Sequence, residues 1–129
     1  MTGSLLDPDS ADSYLRNWQD RVDRAAADTK AMSDRLADLR VTATDDNNLV
    51  TVTIDTTGVL HEIHFEERIQ RVAPGAVSRA VLAALHTARR AAAARSREIV
   101  TETVGDDSPA GRAVAERMEQ QLTGSDDHA

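Results

Sequence analysis

The sequence has no cysteine, and its 129 residues include only one tryptophan, one tyrosine and one phenylalanine. Without cysteine there are no disulfide bonds and no thiolate chemistry, which fits a reducing compartment. With so few aromatic rings, the chain lacks the stacking platforms that bind single-stranded nucleic acid. No apolar stretch approaches the roughly 18–20 residues of a membrane span, and the first residues lack the basic and apolar regions of a secretory signal. These absences favour a cytoplasmic protein that does not enter a membrane.

Large apolar side chains are also scarce. Apolar residues make up 40% of the sequence, but 21 of them are alanine. Burial of alanine removes little apolar area from water compared with leucine or phenylalanine, so a monomer would have a thin core. The length fits a single domain. We therefore expect a homodimer, or a partner protein that completes the core.

Charge is unevenly distributed along the chain, which has a net charge of −7 and a single lysine, Lys30. Residues 74–100 contain five arginines and one glutamate, whereas residues 101–129 contain seven acidic residues and two arginines. A basic segment is thus followed directly by an acidic one. The local fields of these segments matter more for binding than the overall charge.

The stretch from Leu39 to Phe65 predicts a three-stranded antiparallel meander. Its central strand alternates apolar and polar residues, the pattern of a half-buried strand, with apolar positions at Val50, Val52 and Ile54. Two groups of polar turn residues, 45–48 and 56–58, flank this strand. A weaker strand containing Leu39, Val41 and Ala43 precedes it. A third strand follows over 59–65, where Leu60 interrupts the alternation and predicts a bulge near His61.

A long helix is expected before the meander, capped by Asp9 or Ser10 and ending near Asp38. Its apolar seam has spacings of three and four residues: Leu15, Trp18, Val22, Ala25, Thr29, Met32, Leu36 and Leu39. Such sustained spacing indicates contact with another helix, and packing on the sheet is the alternative. As the dimer or partner interface we single out Leu15, Trp18, Val22, Met32, Leu36, Val50, Val52 and Ile54.

A second long helix is predicted from Pro74 to about Val104, because proline fits the first turn of a helix. One side of it carries Val77, Val81, Leu85, Ala88, Ala92 and Ile99. The other side carries Arg79, His86, Arg90 and Arg97, with Arg89 on the flank. Arg95 falls inside the apolar stripe and should pair with a carboxylate, for example one from the first helix. A short third helix should follow, with Ser108 as its cap and Val114, Met118 and Leu122 on its apolar face.

No catalytic or metal-binding arrangement is recognisable. His61 and His64 are three residues apart on a predicted strand, so their rings point to opposite faces, and ordinary strand histidines explain them better than a metal site. The acidic turn at 45–48 lacks the glycine and the distal glutamate of a calcium loop. No phosphate-binding glycine loop and no nucleophile elbow is present. We expect neither enzymatic activity nor a cofactor.

The sequence therefore predicts the α+β class, with a long N-terminal helix, a three-stranded antiparallel meander, a long helix and a short terminal helix. We divide the chain into a flexible lead-in (1–8), a helix–sheet–helix domain (9–104), a short amphipathic helix (105–122) and a disordered acidic tail (123–129).

The arrangement resembles the YbaB/EbfC family of bacterial nucleoid-associated proteins, and most closely its actinobacterial branch. The resemblance is carried by VTAT at 41–44, LVTVTID at 49–55, GVLHEIHF at 58–65 and VSRAVLAAL at 77–85. It covers roughly residues 15–104. It implies a homodimer with a core centred on the sheet and with protruding helices, which binds duplex DNA with little sequence preference. Some members of that branch resemble accessory proteins of type VII secretion loci and act through protein partners.

Two hypotheses for function are compatible with the sequence. In the first, Arg79, Arg89, Arg90 and Arg97 contact the phosphates of duplex DNA, since arginine binds such anions without reading sequence. A row of charge is equally compatible with a merely solvated face. In the second, the protein is a chaperone-like interaction dimer whose partner docks near Ala25 and Thr29, or on the short terminal helix.

Overall fold

The computed structural model describes residues 8–105 and 108–124. The described elements are helix α1 (Pro8–Asp38), strands β1 (Val41–Thr44), β2 (Val50–Ile54) and β3 (Leu60–Phe65), a 3₁₀ turn (Glu67–Arg71), helix α2 (Pro74–Thr103) and helix α3 (Pro109–Thr123). The predicted α+β class and element order are confirmed. Asp9 and Ser10 lie inside α1, so the prediction that either residue caps it was wrong. The lead-in before Pro8 and the tail after Gly124 lie outside the described residues.

The three strands form an antiparallel sheet in the order β1-β2-β3. Val41 of β1 lies opposite Ile54 of β2, and Val52 of β2 lies opposite Ile63 of β3. The register between β2 and β3 shifts after Thr53, because Thr53 pairs with Glu62 and Ile54 pairs with Leu60. His61 is the residue left over, which confirms the predicted bulge. Leu39 was wrongly assigned to the first strand, since it packs instead beside Met32 and Leu36.

The turn between β1 and β2 is held by one buried carboxylate. The side chain of Asp45 accepts hydrogen bonds from the backbone amides of Leu49 (2.7 Å), Val50 (2.8 Å) and Asn47 (3.1 Å). Burial alone would raise the pKa of Asp45, but these amide donors outweigh it and hold the pKa below its ordinary value. Asn48 takes a positive φ of 56°, a conformation that asparagine tolerates.

The turn between β2 and β3 uses the same device. Asp55 accepts from the amides of Thr57 and Val59, and its other oxygen lies 2.7 Å from Nε2 of His61. Partial burial would raise the pKa of Asp55, but hydrogen bonds from Thr57 and His61 hold it well below the ordinary range. Gly58 has a φ of +86°, which favours glycine because it has no Cβ. The histidine left unpaired by the bulge thus supports the adjacent turn.

Helix α2 covers the sheet with alanine. Ala80, Ala84, Ala88 and Ala92 are buried and form what we call the alanine face, and they pack with Val50, Val52 and Ile54 of β2, which have no exposed surface. Ala88 and Ala92 of the predicted apolar face are buried as expected. In the first half of the helix that face was displaced by about one residue, because Val81 and Leu85 are only partly buried beside the core. Small side chains let the helix backbone approach the strand closely, so alanine occupies the centre of the contact.

Helix α1 is packed only near its C-terminal end. Met32 and Leu36 are buried in a second cluster with Ile99 and Val100 of α2. From Pro8 to Ala31 every residue of α1 is exposed. At about 1.5 Å per residue, this part of the helix extends over roughly 36 Å without being covered by the described part of its own chain.

Helix α3 folds back along α2. As predicted, Ser108 caps it by accepting from the amide of Gly111, and Pro109 occupies its first turn. Val114 and Met118 pack against the second cluster, while Leu122 is fully buried with the residues of the first cluster. The short helix is therefore part of the folded body.

Replacement of Asp45 by alanine should lower the free energy of unfolding by about 2–3 kcal/mol, because buried amides would lose a charged acceptor. Urea denaturation would measure the loss. Asp46→Ala is the matched control: this neighbouring carboxylate is exposed, so its removal should change stability by no more than about 0.5 kcal/mol. Equal losses in both variants would contradict the role assigned to Asp45.

Candidate nucleic-acid interface

Helix α2 carries exposed basic residues on the side away from the sheet. Arg79, Arg90 and Arg97, which we call the arginine row, follow one another at close to three and then two whole helical turns. All three are exposed, and they lie opposite the alanine face. The row extends over about 27 Å, roughly the length of eight base pairs of duplex DNA. The structure thus brings three of the four predicted DNA-binding arginines to one surface.

The members of the row differ in their partners. Among the described residues, Arg79 and Arg90 make no ion pair. Arg97 Nη2 lies 2.9 Å from Oε2 of Glu119 on α3, with both side chains about half exposed. An exposed pair of this kind contributes only about 0–1 kcal/mol, so it does not remove Arg97 from competition for another anion.

Arg89, the fourth predicted arginine, lies on the flank of the helix and is partly buried. Its Nε would be 3.9 Å from a Cβ placed on Gly58, in the turn between β2 and β3. Leu122 of α3 approaches the same point to within 3.6 Å. Arg89 therefore lies beside the sheet turn, close to the end of α3, and is not part of the row.

Arg95 belongs to a structural network. It was expected to pair with a carboxylate, for which the first helix was one possible source, and it pairs with Glu98 (2.8 Å) and Glu102 (3.4 Å) of its own helix. Arg35 of α1 completes the network at 2.6 Å from Glu102. The hydrogen bond from Arg35 lowers the pKa of Glu102, and the bond to Glu98 raises the pKa of Arg95. The network links α1 to α2 near the end of the row.

The two strand histidines are held in separate places. His61 is bonded to Asp55 in the turn, whereas Nε2 of His64 is 3.7 Å from Glu66. Over residues 8–105 and 108–124, no group of three or more metal-ligating side chains is close enough to hold an ion. Residues 45–48, two aspartates followed by two asparagines, form the turn between β1 and β2.

The residues predicted for the dimer or partner interface fall into two groups. Met32, Leu36, Val50, Val52 and Ile54 are buried within this chain. Leu15, Trp18 and Val22 are 59%, 49% and 42% exposed on the uncovered part of α1. In this arrangement a second protein reaches only the exposed group.

An apolar surface that the interface prediction omitted lies on β3. Leu60, Ile63 and Phe65 are 42%, 40% and 42% exposed. Ile63 and Phe65 lie opposite Val52 and Val50 and so share the core face of the sheet. This exposed β3 surface is also at the edge of the sheet, where one side of the strand has no neighbour among the described residues. The apolar run in 59–65 was the signal for it.

The described residues form a helix–meander–helix unit of the α+β class, with a row of exposed arginines on its second long helix. A family model for the YbaB/EbfC DNA-binding family matches residues 14–107, and the chain belongs to that family. It is a family of nucleoid-associated DNA-binding proteins and not of enzymes. A comparison with curated proteins found no match. None of the described helices combines the length and the apolar character that crossing a bilayer requires.

Proposed function

We propose that this protein is a non-enzymatic nucleoid-associated protein that binds duplex DNA as a homodimer with little sequence preference. The observation that carries the proposal is the arginine row, in which Arg79 and Arg90 are exposed on a rigid helix of a chain that belongs to a DNA-binding family. Arginine forks bind phosphate oxygens strongly and carry no sequence information by themselves. We assign residues 9–104 to the family domain and 105–122 to a short amphipathic helix, beside a family match over 14–107.

The charge of the other surfaces supports one direction of approach. Asp20, Asp23 and Asp34 are exposed on α1, where carboxylates repel a phosphate backbone. The arginine row therefore offers DNA the favourable side of the molecule. The abundance of arginine and alanine beside a single lysine supports a place in the actinobacterial branch of the family.

The homodimer is supported by the exposed β3 surface. An open edge strand with apolar residues on its core face is a template for pairing with another strand. A second copy of β3, aligned antiparallel, would continue the sheet and bury Leu60, Ile63 and Phe65 of both chains. Two arginine rows would then belong to one particle, which strengthens binding to a long duplex without new contacts.

The double substitution Arg79→Glu/Arg90→Glu should lower the affinity for duplex DNA. Its affinity should be at least tenfold lower than that of a control variant with the same charge change on α1. The slope of log affinity against log salt should also decrease by roughly two, since two phosphate contacts are lost. Fluorescence anisotropy at ~50 and ~200 mM salt measures both quantities. The matched control is Arg16→Glu/Arg24→Glu, which makes the same charge change on exposed residues of α1. Equal losses in the two variants would show that net charge, not the row, governs binding.

Ile63→Asp should convert the dimer to a monomer, because it places a charge in the apolar β3 contact. Size-exclusion chromatography with light scattering reports the mass, and far-UV circular dichroism checks that the fold remains. Leu82→Asp is the control, since Leu82 is 62% exposed on α2, away from β3. A dimer that persists in Ile63→Asp would exclude the β3 pairing.

The exposed part of α1 favours a second candidate function, in which the protein is an interaction dimer. Such a dimer would bind a partner protein, as the accessory proteins of type VII secretion loci do. Trp18, Leu15 and Val22 form an apolar line there, and large aromatic residues anchor interfaces. Leu122 of the short terminal helix is fully buried, which favours α1 over that helix as the docking surface.

If the second function is correct, Trp18 stays exposed to water in the homodimer until a partner protein binds it. We therefore expect its fluorescence to be red-shifted and to be quenched by a soluble quencher. The measurement uses the intact chain, in which Trp18 is the only tryptophan. A blue-shifted, protected indole would mean that the dimer itself buries this line.

A further inference from the structure

Helix α3 is an addition to the family domain that lies against the proposed DNA-binding helix. The family match ends at residue 107, and α3 begins at Pro109. The family match therefore says nothing about where α3 lies, and its position beside the arginine row is read from the contacts in this chain.

Both ends of α3 are held firmly on α2. At its start, a Cβ on Gly111 would be only 2.6 Å from Val104 Cγ2 and 3.0 Å from Val100 Cγ1, so glycine permits a close approach. At its end, Leu122 is fully buried in the core that contains Ala92 and Ala93. The helix between these anchors runs antiparallel to α2.

This docking places two carboxylates beside the row. Glu116 and Glu119 line a groove between the helices, with a volume of about 340 Å³, which Arg97 of α2 and Arg112 of α3 also line. Glu119 makes the 2.9 Å ion pair with Arg97, while Glu116 makes no ion pair among the described residues. Carboxylate and phosphate oxygens accept from the same guanidinium N–H groups. A phosphate that approaches Nη2 of Arg97 therefore competes with Glu119.

We propose that α3 is an autoinhibitory cover on the DNA-binding surface, in which Glu119 occupies Arg97 in the free protein and DNA competes with it. This inference rests on the proposed DNA-binding function. Glu119 thereby weakens the contribution of Arg97 to the row, while Arg79 and Arg90 make no ion pair among the described residues. Since the pair is half exposed, the inhibition is modest and weakens as salt rises.

The test is the substitution Glu119→Gln, which keeps the shape of the side chain and removes its charge. Its affinity for a short duplex should exceed that of Glu116→Gln about two- to fivefold, the range expected for releasing one exposed ion pair. Glu116→Gln is the matched control, because it removes the same charge one turn earlier on the same helix. The salt slope of Glu119→Gln should be steeper than that of the control by about one, since Arg97 then binds phosphate without first losing a partner.

A double-mutant cycle separates competition for Arg97 from a general change in charge. In an Arg97→Gln background, Glu119→Gln and Glu116→Gln should give equal affinities. An advantage of Glu119→Gln that persists without Arg97 would overturn the proposal, as would equal affinities of the two variants in the unsubstituted background.

The same titrations distinguish the two proposals. If the unsubstituted protein binds DNA and Glu119→Gln matches Glu116→Gln, the cover is wrong and the DNA-binding function stands. If no variant binds at ~50 mM salt, including Glu119→Gln, the DNA-binding function fails and the cover fails with it. Circular dichroism of each variant confirms that α3 remains folded.

Discussion

The contact between the alanine face of α2 and strand β2 is the constraint on which the rest of this molecule depends. Ala84, Ala88 and Ala92 have no exposed surface, and neither do Val50 and Val52. Because alanine has only a methyl group, helix and strand approach closely, but each residue removes little apolar area from water. A core built in this way is tight and narrow. It covers the apolar residues of β2 completely and leaves those of β3, one strand further out, partly exposed to solvent.

The same contact determines which side of α2 faces solvent. Once the alanine face is turned to the sheet, helical geometry places Arg79, Arg90 and Arg97 on the opposite side, whatever the rest of the chain does. Met32 and Leu36 then attach α1 near the end of α2, and the network of Arg35, Glu102 and Arg95 supports that attachment. The long uncovered part of α1 is a consequence, because α1 is attached only where its C-terminal end meets the C-terminal end of α2.

Local features of the fold could be predicted from sequence because single residues determine them. Asn48 and Gly58 take the positive φ values that their turns require, and the bulge falls at His61, where the alternation breaks. The partner of Arg95 was only partly predicted, for a physical reason. Helix α2 packs on the sheet in its first half and on α1 and α3 in its second, so no single helical projection describes both halves. Nor does an apolar pattern distinguish residues buried in their own chain, such as Val52, from residues left exposed, such as Trp18.

A net charge of −7 and a phosphate-binding surface are compatible because electrostatic effects in solution are local. At physiological ionic strength the screening length is roughly 8 Å, so the carboxylates along the outer part of α1 weigh little on Arg79 and Arg90. Glu119 is different, since it lies within ion-pair distance of Arg97. In the proposed DNA complex, the acid that matters is therefore the small part that the fold brings to α2. The helix that brings it lies beyond the family match, so under this proposal a change in α3 adjusts the affinity for DNA while the sheet, the alanine face and the arginine row stay as they are.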